Sequence, residues 1–313
     1  MTRNCALLLL LLVLVLCGCA APGVPTANKP TAPSNASARA PSDWLDWQAK
    51  RRESIAGTNG WTTLVGRYWL AEGTNFAGTY PTNHAVLPRD RAAASIGAFV
   101  RQGRLVRFEA APGVVATVDG GPVRTVALLS DRDQPATVLR LGRLSFSVIE
   151  RGERLGLRVR DPDAPARRQF RGLGYFAYDP AWRIQGRFEP FPAPRTLRVQ
   201  DVTGGTQELI SPGAVLFPLA GKEHRLDVVE ESGEEDYFVI FRDRTAGDST
   251  YAAGRFLYVA KPAPNTGSVW IDFNRAYTPP CGFTPFATCP LPPRQNWLPV
   301  AVPAGERKPQ AHR

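Results

Sequence analysis

From Trp61 onward the chain reads in short period-two runs broken by glycine, and no other feature constrains its fold as strongly. Trp61-Thr-Thr-Leu-Val and Arg67-Tyr-Trp-Leu alternate with turns at Gly66, Gly73 and Gly78. The rhythm continues through residues 85–87, 97–100, 105–108, 114–118, 123–129, 137–141 and 144–149. A period of two sends alternate side chains to opposite faces of a strand, so each run can bury one face. Strands at this spacing, without a long helical pattern between them, predict an all-β chain built from sandwiches or barrels. One helix is expected, over residues 44–55, capped by Ser42 or Asp43 and stopped by Gly57 and Gly60.

Gly152 interrupts the series, which divides the chain into an N-terminal β lobe (43–150) and a C-terminal β lobe (151–308), with 309–313 as a tail. The second lobe is expected to open with a strand over 154–160 that ends in Asp161-Pro-Asp-Ala-Pro, a strong turn signal. Arg158, Arg160, Arg167, Arg168 and Arg171 then crowd around Phe170, either as an anion site or as a solvated strand face. Glu230-Glu-Ser-Gly-Glu-Glu-Asp reads as a self-repelling, solvated hairpin tip.

The second lobe should be closed by residues 271–297, which carry six prolines: Pro279, Pro280, Pro285, Pro290, Pro292 and Pro293. Proline fixes φ and biases its predecessor away from helix, so this is a stiff, extended loop with little conformational entropy left to lose. Such a loop can hold Asp272, Asn274, Arg275 and Tyr277 in a set geometry. With Arg183, Tyr251 and Arg255 these residues are the expected lining of a cleft, since arginine forks beside tyrosine suit an anionic small molecule, a lipid or a glycan. The chain is basic, with a formal net charge of +10, and only five of its 38 basic residues are lysine. Codon bias or an anion site would each account for that.

Cys281 and Cys289 allow three readings. A disulfide would close the loop between them and stabilise the fold by roughly 2.5 kcal/mol on the chain-entropy relation. Alternatively Cys281 is a nucleophile activated by Arg275 or Arg294, with Asp272 or Tyr277 as acid or base, in a hydrolase or acyl-transfer enzyme. The third is a pair of buried reduced thiols packed as small hydrophobes. For the chain as a whole, a structural envelope protein without a ligand stands beside the binding and enzyme readings. There is no Gly-x-Ser-x-Gly elbow, P-loop, dinucleotide turn or Cys-x-x-Cys, and His84, His224 and His312 are scattered. No cofactor and no metal site are therefore expected.

Four stretches carry a family resemblance: GWTTLVGRYWLAEGTNFAG, RVRDPDAPARRQFRGLGYFAYDPAWRIQGRFEPF, FRDRTAGDSTYAAGRFLYV and DFNRAYTPPCGFTPFATCPLPPRQNWLPVAVPAGER. They resemble the DUF1684 family of bacterial and archaeal proteins, from residue 44 to 308. The resemblance supplies no chemistry. Phe76-Ala-Gly-Thr-Tyr-Pro-Thr-Asn-His-Ala-Val-Leu-Pro and Val118-Asp-Gly-Gly-Pro-Val resemble the forkhead-associated sandwich. That implies two packed sheets for the first lobe; the phosphothreonine-reading Ser and His of that fold have no equivalents here.

Residues 1–18 read as a signal peptide, with one basic residue, Arg3, before an apolar block over 6–16 that is short for a bilayer span. Leu16-Cys17-Gly18-Cys19 resembles a bacterial lipobox, which makes Cys19 the expected lipidation site and the membrane a partner through that anchor. Residues 19–42 are rich in Ala, Pro, Ser, Thr and Asn without apolar periodicity, as in a disordered tether. The expected location is the bacterial cell envelope, at the outer membrane where the cell has one. Nucleic acid does not fit an exported, lipid-anchored chain, and the sequence does not indicate an oligomeric state.

Overall fold

The protein, in a computed structural model that describes residues 40–133, 135–264 and 266–310, is all-β apart from helix α1 (Ser42–Ala56), the four-residue α2 (Pro165–Arg168) and a few single 3-10 turns. The signal peptide, Cys19 and all but the last residues of the tether lie outside the described residues, as do residues 311–313 of the tail. α1 forms where expected, but neither Ser42 nor Asp43 caps it. Pro41 occupies the cap position, and its carbonyl accepts from the Trp44 and Leu45 amides.

The first lobe contains β1 (Leu64–Trp69), β2 (Gly73–Gly78), β3 (Ala85–Val86), β4 (Gly97–Gln102), β5 (Leu105–Ala110), β6 (Ala116–Val118), β7 (Gly121–Val123), β8 (Thr125–Leu128), β9 (Leu139–Leu141), β10 (Leu144–Arg151) and β11 (Arg154–Arg160). One sheet has the order β1-β11-β10-β9-β6-β7 and the other β3-β2-β4-β5-β8. Their inner faces meet as a sandwich: Phe99 of β4 lies 5.8 Å from Phe146 of β10, within a core that includes Phe108, Leu144, Leu157 and Val159. Asn75, buried among these strands, donates to the carbonyls of Ala71, Gly73 and Phe99 and accepts from the Ala71 amide. β11 belongs to this lobe. It pairs with β1 and β10, so the expected division at residue 150 cuts through a hairpin whose second strand completes the first sandwich.

The second lobe is one antiparallel sheet, β16-β15-β14-β13-β12-β17, comprising β12 (Arg183–Gln200), β13 (Thr206–Leu219), β14 (Lys222–Glu230), β15 (Asp236–Phe241), β16 (Arg255–Ala260) and β17 (Ser268–Asp272). It curls into a nearly closed barrel. Beyond β17, Tyr277 exchanges two backbone hydrogen bonds of 2.9 Å with Phe256 of the opposite edge strand. Val215, Phe217, Leu226, Val239, Leu257, Ile271 and Phe273 fill the interior. Gly254 makes the entry to β16 possible: its φ is +96°, and a Cβ there would lie 2.5 Å from Pro292 and 2.6 Å from the Phe241 carbonyl.

The lobes meet through arginine. On β11, Leu155, Leu157 and Val159 point into the sandwich, which leaves Arg154, Arg158 and Arg160 on the outer face. From the same sheet Arg67 donates to the Ala287 carbonyl at 2.8 Å and Arg151 to the Thr288 hydroxyl at 3.0 Å, while Arg154 reaches the buried Asp201 carboxylate at 3.0 Å. A proline-rich segment has few ladder partners for its carbonyls, and guanidinium groups supply the missing donors. Arg158 and Arg160 stack on Trp61, and Arg167 donates to the carbonyls of Ala56 and Gly57 at the end of α1.

Candidate functional site

A cavity of about 640 Å³ opens between the lobes. One wall is a single face of α1: Trp47, Lys50, Arg51 and Ser54 recur at i, i+3, i+4 and i+7. The first lobe contributes Trp61, Asp131, Arg132, Glu150 and Arg151. From the outer face of the barrel come Gln207, Leu209, Glu231, Phe238, Phe256 and Tyr258, and the proline-rich segment adds Tyr277, Pro280, Thr288, Cys289 and Pro290.

Two features hold α1 over this space. Trp44 donates its indole N–H to the Asn274 carbonyl at 3.0 Å. Arg51, 7% exposed, pairs with the buried Glu306 carboxylate at 2.7 Å and donates to the Thr278 carbonyl at 2.5 Å, while the second Glu306 oxygen accepts from the Thr278 amide. The Arg51 guanidinium also lies 4.5 Å from the Tyr277 ring centre, so one side chain fixes the helix, the loop and a cavity ring together.

The aromatic floor is ordered by mutual contact. Phe238 meets Phe256 edge-on at 4.8 Å and Tyr258 at 5.3 Å, and the Tyr258 and Tyr277 rings lie nearly parallel at 6.4 Å. Tyr258 donates its hydroxyl to Glu231 at 3.0 Å. Burial raises the pKa of both tyrosines, so both stay neutral donors. Burial also raises the Glu231 pKa, the Glu234 charge adds to this, and the Tyr258 hydrogen bond opposes it. A carboxyl whose folded pKa exceeds its unfolded one contributes stability below the unfolded pKa and loses it as pH rises through the folded value. Wild-type protein should therefore lose stability relative to Glu231→Gln as pH climbs through the carboxylate range, read from urea midpoints between about pH 4 and 7. A pH-independent difference would show that burial does not penalise this charge.

Most charges around the cavity are already paired. Arg151 contacts Asp131 at 2.8 Å, Arg132 contacts Glu150 at 3.7 Å and Arg51 contacts Glu306. Of the four basic lining residues, Lys50 alone has no ion pair among the described residues. No group of three or more His, Cys, Asp or Glu among the described residues could hold a metal ion.

Of the lining residues expected from sequence, Tyr277 faces the cavity and the others do not. Arg255 lies inside the barrel, 1% exposed, paired with Asp243 at 2.6 Å. Arg183 stacks on Trp270 beside β17. Asp272 accepts from the Asn274 amide and side chain and pairs with Arg275 at 3.5 Å; Arg275 also pairs with Asp43, and Asn274 bridges to the Asp179 backbone. These three tie the start of α1 to the barrel. Tyr251 donates to the Cys281 carbonyl at 3.1 Å, so Cys281 lies with Tyr251 and Cys289 while Asp272 is committed elsewhere. Cys281 and Cys289 are free thiols rather than a disulfide, and the Cys281 amide donates to the Cys289 sulfur at 3.3 Å.

Residues 168–307 match DUF1684, a family described as proteins of unknown function. This match supports placing residues 168–307 in the family. The DUF1684 match spans the second lobe and the proline-rich segment; residues 44–167, where the sequence also suggested a resemblance, lie outside it. Among solved structures the chain is similar to the solution NMR structure of the uncharacterized protein from gene locus rrnAC0354 of Haloarcula marismortui. The two share 31% identity over 46% of this chain and 80% of that one, with a TM-score of 0.39. No curated protein matches the chain.

Proposed function

We propose that the chain is an envelope lipoprotein, anchored through Cys19, whose interlobe cavity binds a glycan fragment that carries an anionic group. The cavity's composition carries this reading. Six aromatic rings (Trp47, Trp61, Phe238, Phe256, Tyr258, Tyr277) offer stacking faces, and Glu231, Gln207 and Thr288 offer polar partners among them. Aromatic planes beside a few fixed polar groups suit the alternating apolar and hydroxylated faces of a sugar ring. The arginines are neutralised by their pairs, which argues against a polyanion, and Lys50 remains at the cavity wall for a single negative group.

Titration with uronic-acid oligosaccharides and their neutral counterparts, followed by calorimetry, tests the binding. Trp47→Ala should weaken both by about tenfold or more through the lost ring face. Lys50→Ala should weaken only the acidic ligand, by about tenfold, as expected for a lost charged hydrogen bond. Failure of both ligand sets to bind up to their solubility limit would refute the glycan reading. Release of Cys19→Ser from the membrane fraction tests the anchor; unchanged membrane retention would refute it.

A further inference from the structure

Beside the cavity lies a buried cation that the glycan reading does not use. Arg158, on the outer face of β11, is 7% exposed, and its Nε and Nη2 have no hydrogen-bond partner among the described residues. Burial lowers its pKa to about 10, Arg151 and Arg160 push the same way, and Asp131 and Cys289 oppose them. The Trp61 ring at 5.0 Å supplies a π face but no acceptor. A guanidinium with unpaired, desolvated donors is costly unless an anion can form next to it.

The group beside it that can become an anion is a thiol. Cys289 packs in one cluster with Trp61, Ala287 and Cys281 on the barrel's outer face. The Cys281 amide donates to the Cys289 sulfur at 3.3 Å, which sets the two thiols side by side. When one thiol of such a pair ionises, the other remains as a donor to it, so the first proton leaves easily and the second with difficulty. The Tyr251 hydroxyl, donating to the Cys281 carbonyl at 3.1 Å, fixes the backbone that carries this thiol. Cys289 is buried at the cavity wall and Cys281 is only partly buried, which makes Cys281 the more accessible of the two and the nucleophile.

We propose that Cys281 and Cys289 form a hydroperoxide-reactive dithiol, with the unpartnered Arg158 guanidinium, packed on the same Trp61 ring as Cys289, as the cation that favours its single negative charge. The Cys281 thiolate attacks an oxygen of the hydroperoxide; an S–O bond forms, the O–O bond breaks, and the departing oxyanion takes a proton to leave as water or an alcohol. Cys289 then attacks the Cys281 sulfur. The S–S bond forms, the S–O bond breaks, and the hydroxyl departs as water with the proton from Cys289. The two sulfurs give up two electrons, which reduce the peroxide.

The test treats pre-reduced full-length protein with one equivalent of hydrogen peroxide, followed by intact mass and thiol counting. The folded chain should lose two thiols and the mass of two hydrogens, at least about tenfold faster than the same chain in guanidinium, where only unperturbed thiols remain. Cys289→Ser should accumulate a dimedone-reactive sulfenate on Cys281. Arg158→Gln should slow the reaction by about tenfold through the lost stabilisation of the thiolate charge. A folded chain that reacts no faster than the denatured one overturns the proposal, as does absence of the dimedone adduct. An unchanged rate in a folded Arg158→Gln variant would remove the arginine from it.

Discussion

Replacing Arg255 with methionine should destabilise the protein by about 3–5 kcal/mol, the cost of stranding one partner of a buried ion pair. Arg255 donates to the Asp243 carboxylate at 2.6 Å, to the Val302 carbonyl at 2.8 Å and to the Ala304 carbonyl. Asp243 in turn accepts from the Thr245 amide and hydroxyl and from the Val302 amide. Methionine fills most of the arginine's volume, so the loss would report the uncompensated carboxylate and two orphaned carbonyls rather than a cavity. Asp243→Asn on the Arg255→Met background should recover part of the stability, because the amide keeps an acceptor for the turn without the charge. Urea denaturation measures both, and a loss under about 1 kcal/mol would mean that the pair behaves like a surface ion pair.

Arg255 also shows why the sequence led to the wrong face of the right strand. Its nearness to the proline-rich segment suggested a ligand contact, but parity decides direction. Arg255, Leu257 and Val259 point into the barrel, and Phe256 and Tyr258 point out to the cavity. The apolar Leu257 and Val259 already marked the inner face, so the signal was present. The same holds for α1, where Trp47, Lys50, Arg51 and Ser54 share a face by spacing alone. Glu231 was less legible. It belongs to an acidic hairpin whose other charges read as solvated, and only the approach of Tyr258 from a separate strand turns it to use. The cavity could not be read at all, since it exists where the sandwich and the barrel meet.

The overall architecture was legible because it rests on local rules. Period-two runs and glycine turns foretold the all-β chain, and residues 44–55 foretold its helix. The lobe boundary failed because Gly152 looks like a break, whereas it occupies a tight hairpin at φ +60° between two strands of one sheet. The excess of arginine was visible from the first. One of its uses, satisfying carbonyls of a segment that cannot pair with itself, as Arg67 does at Pro285 and Ala287, required knowing what lay opposite β1.

A comparable stability loss, about 3–5 kcal/mol, is expected for Asn296→Leu, since three buried hydrogen bonds are lost and their partners stay dry. β14 and β15 pair in register only at Val229 and Phe238, which leaves a gap in the barrel's ladder. Asn296 fills it. Its side-chain oxygen accepts from the Asp227 amide at 2.8 Å, and its side-chain nitrogen donates to the Asp227 carbonyl at 2.8 Å and the Ile240 carbonyl at 2.9 Å. One primary amide thus does the work of a missing strand, and the chain beside it continues the pairing through Arg242 and Trp297. Leucine matches the shape of asparagine and offers neither donor nor acceptor. Amide hydrogen exchange discriminates this account from general loosening: protection at Asp227 should fall further than the global loss in stability explains, whereas Phe99 and Phe146 in the first lobe should follow the global loss alone. Equal loss of protection in both lobes would show that Asn296 acts through overall stability and does not bridge the two strands.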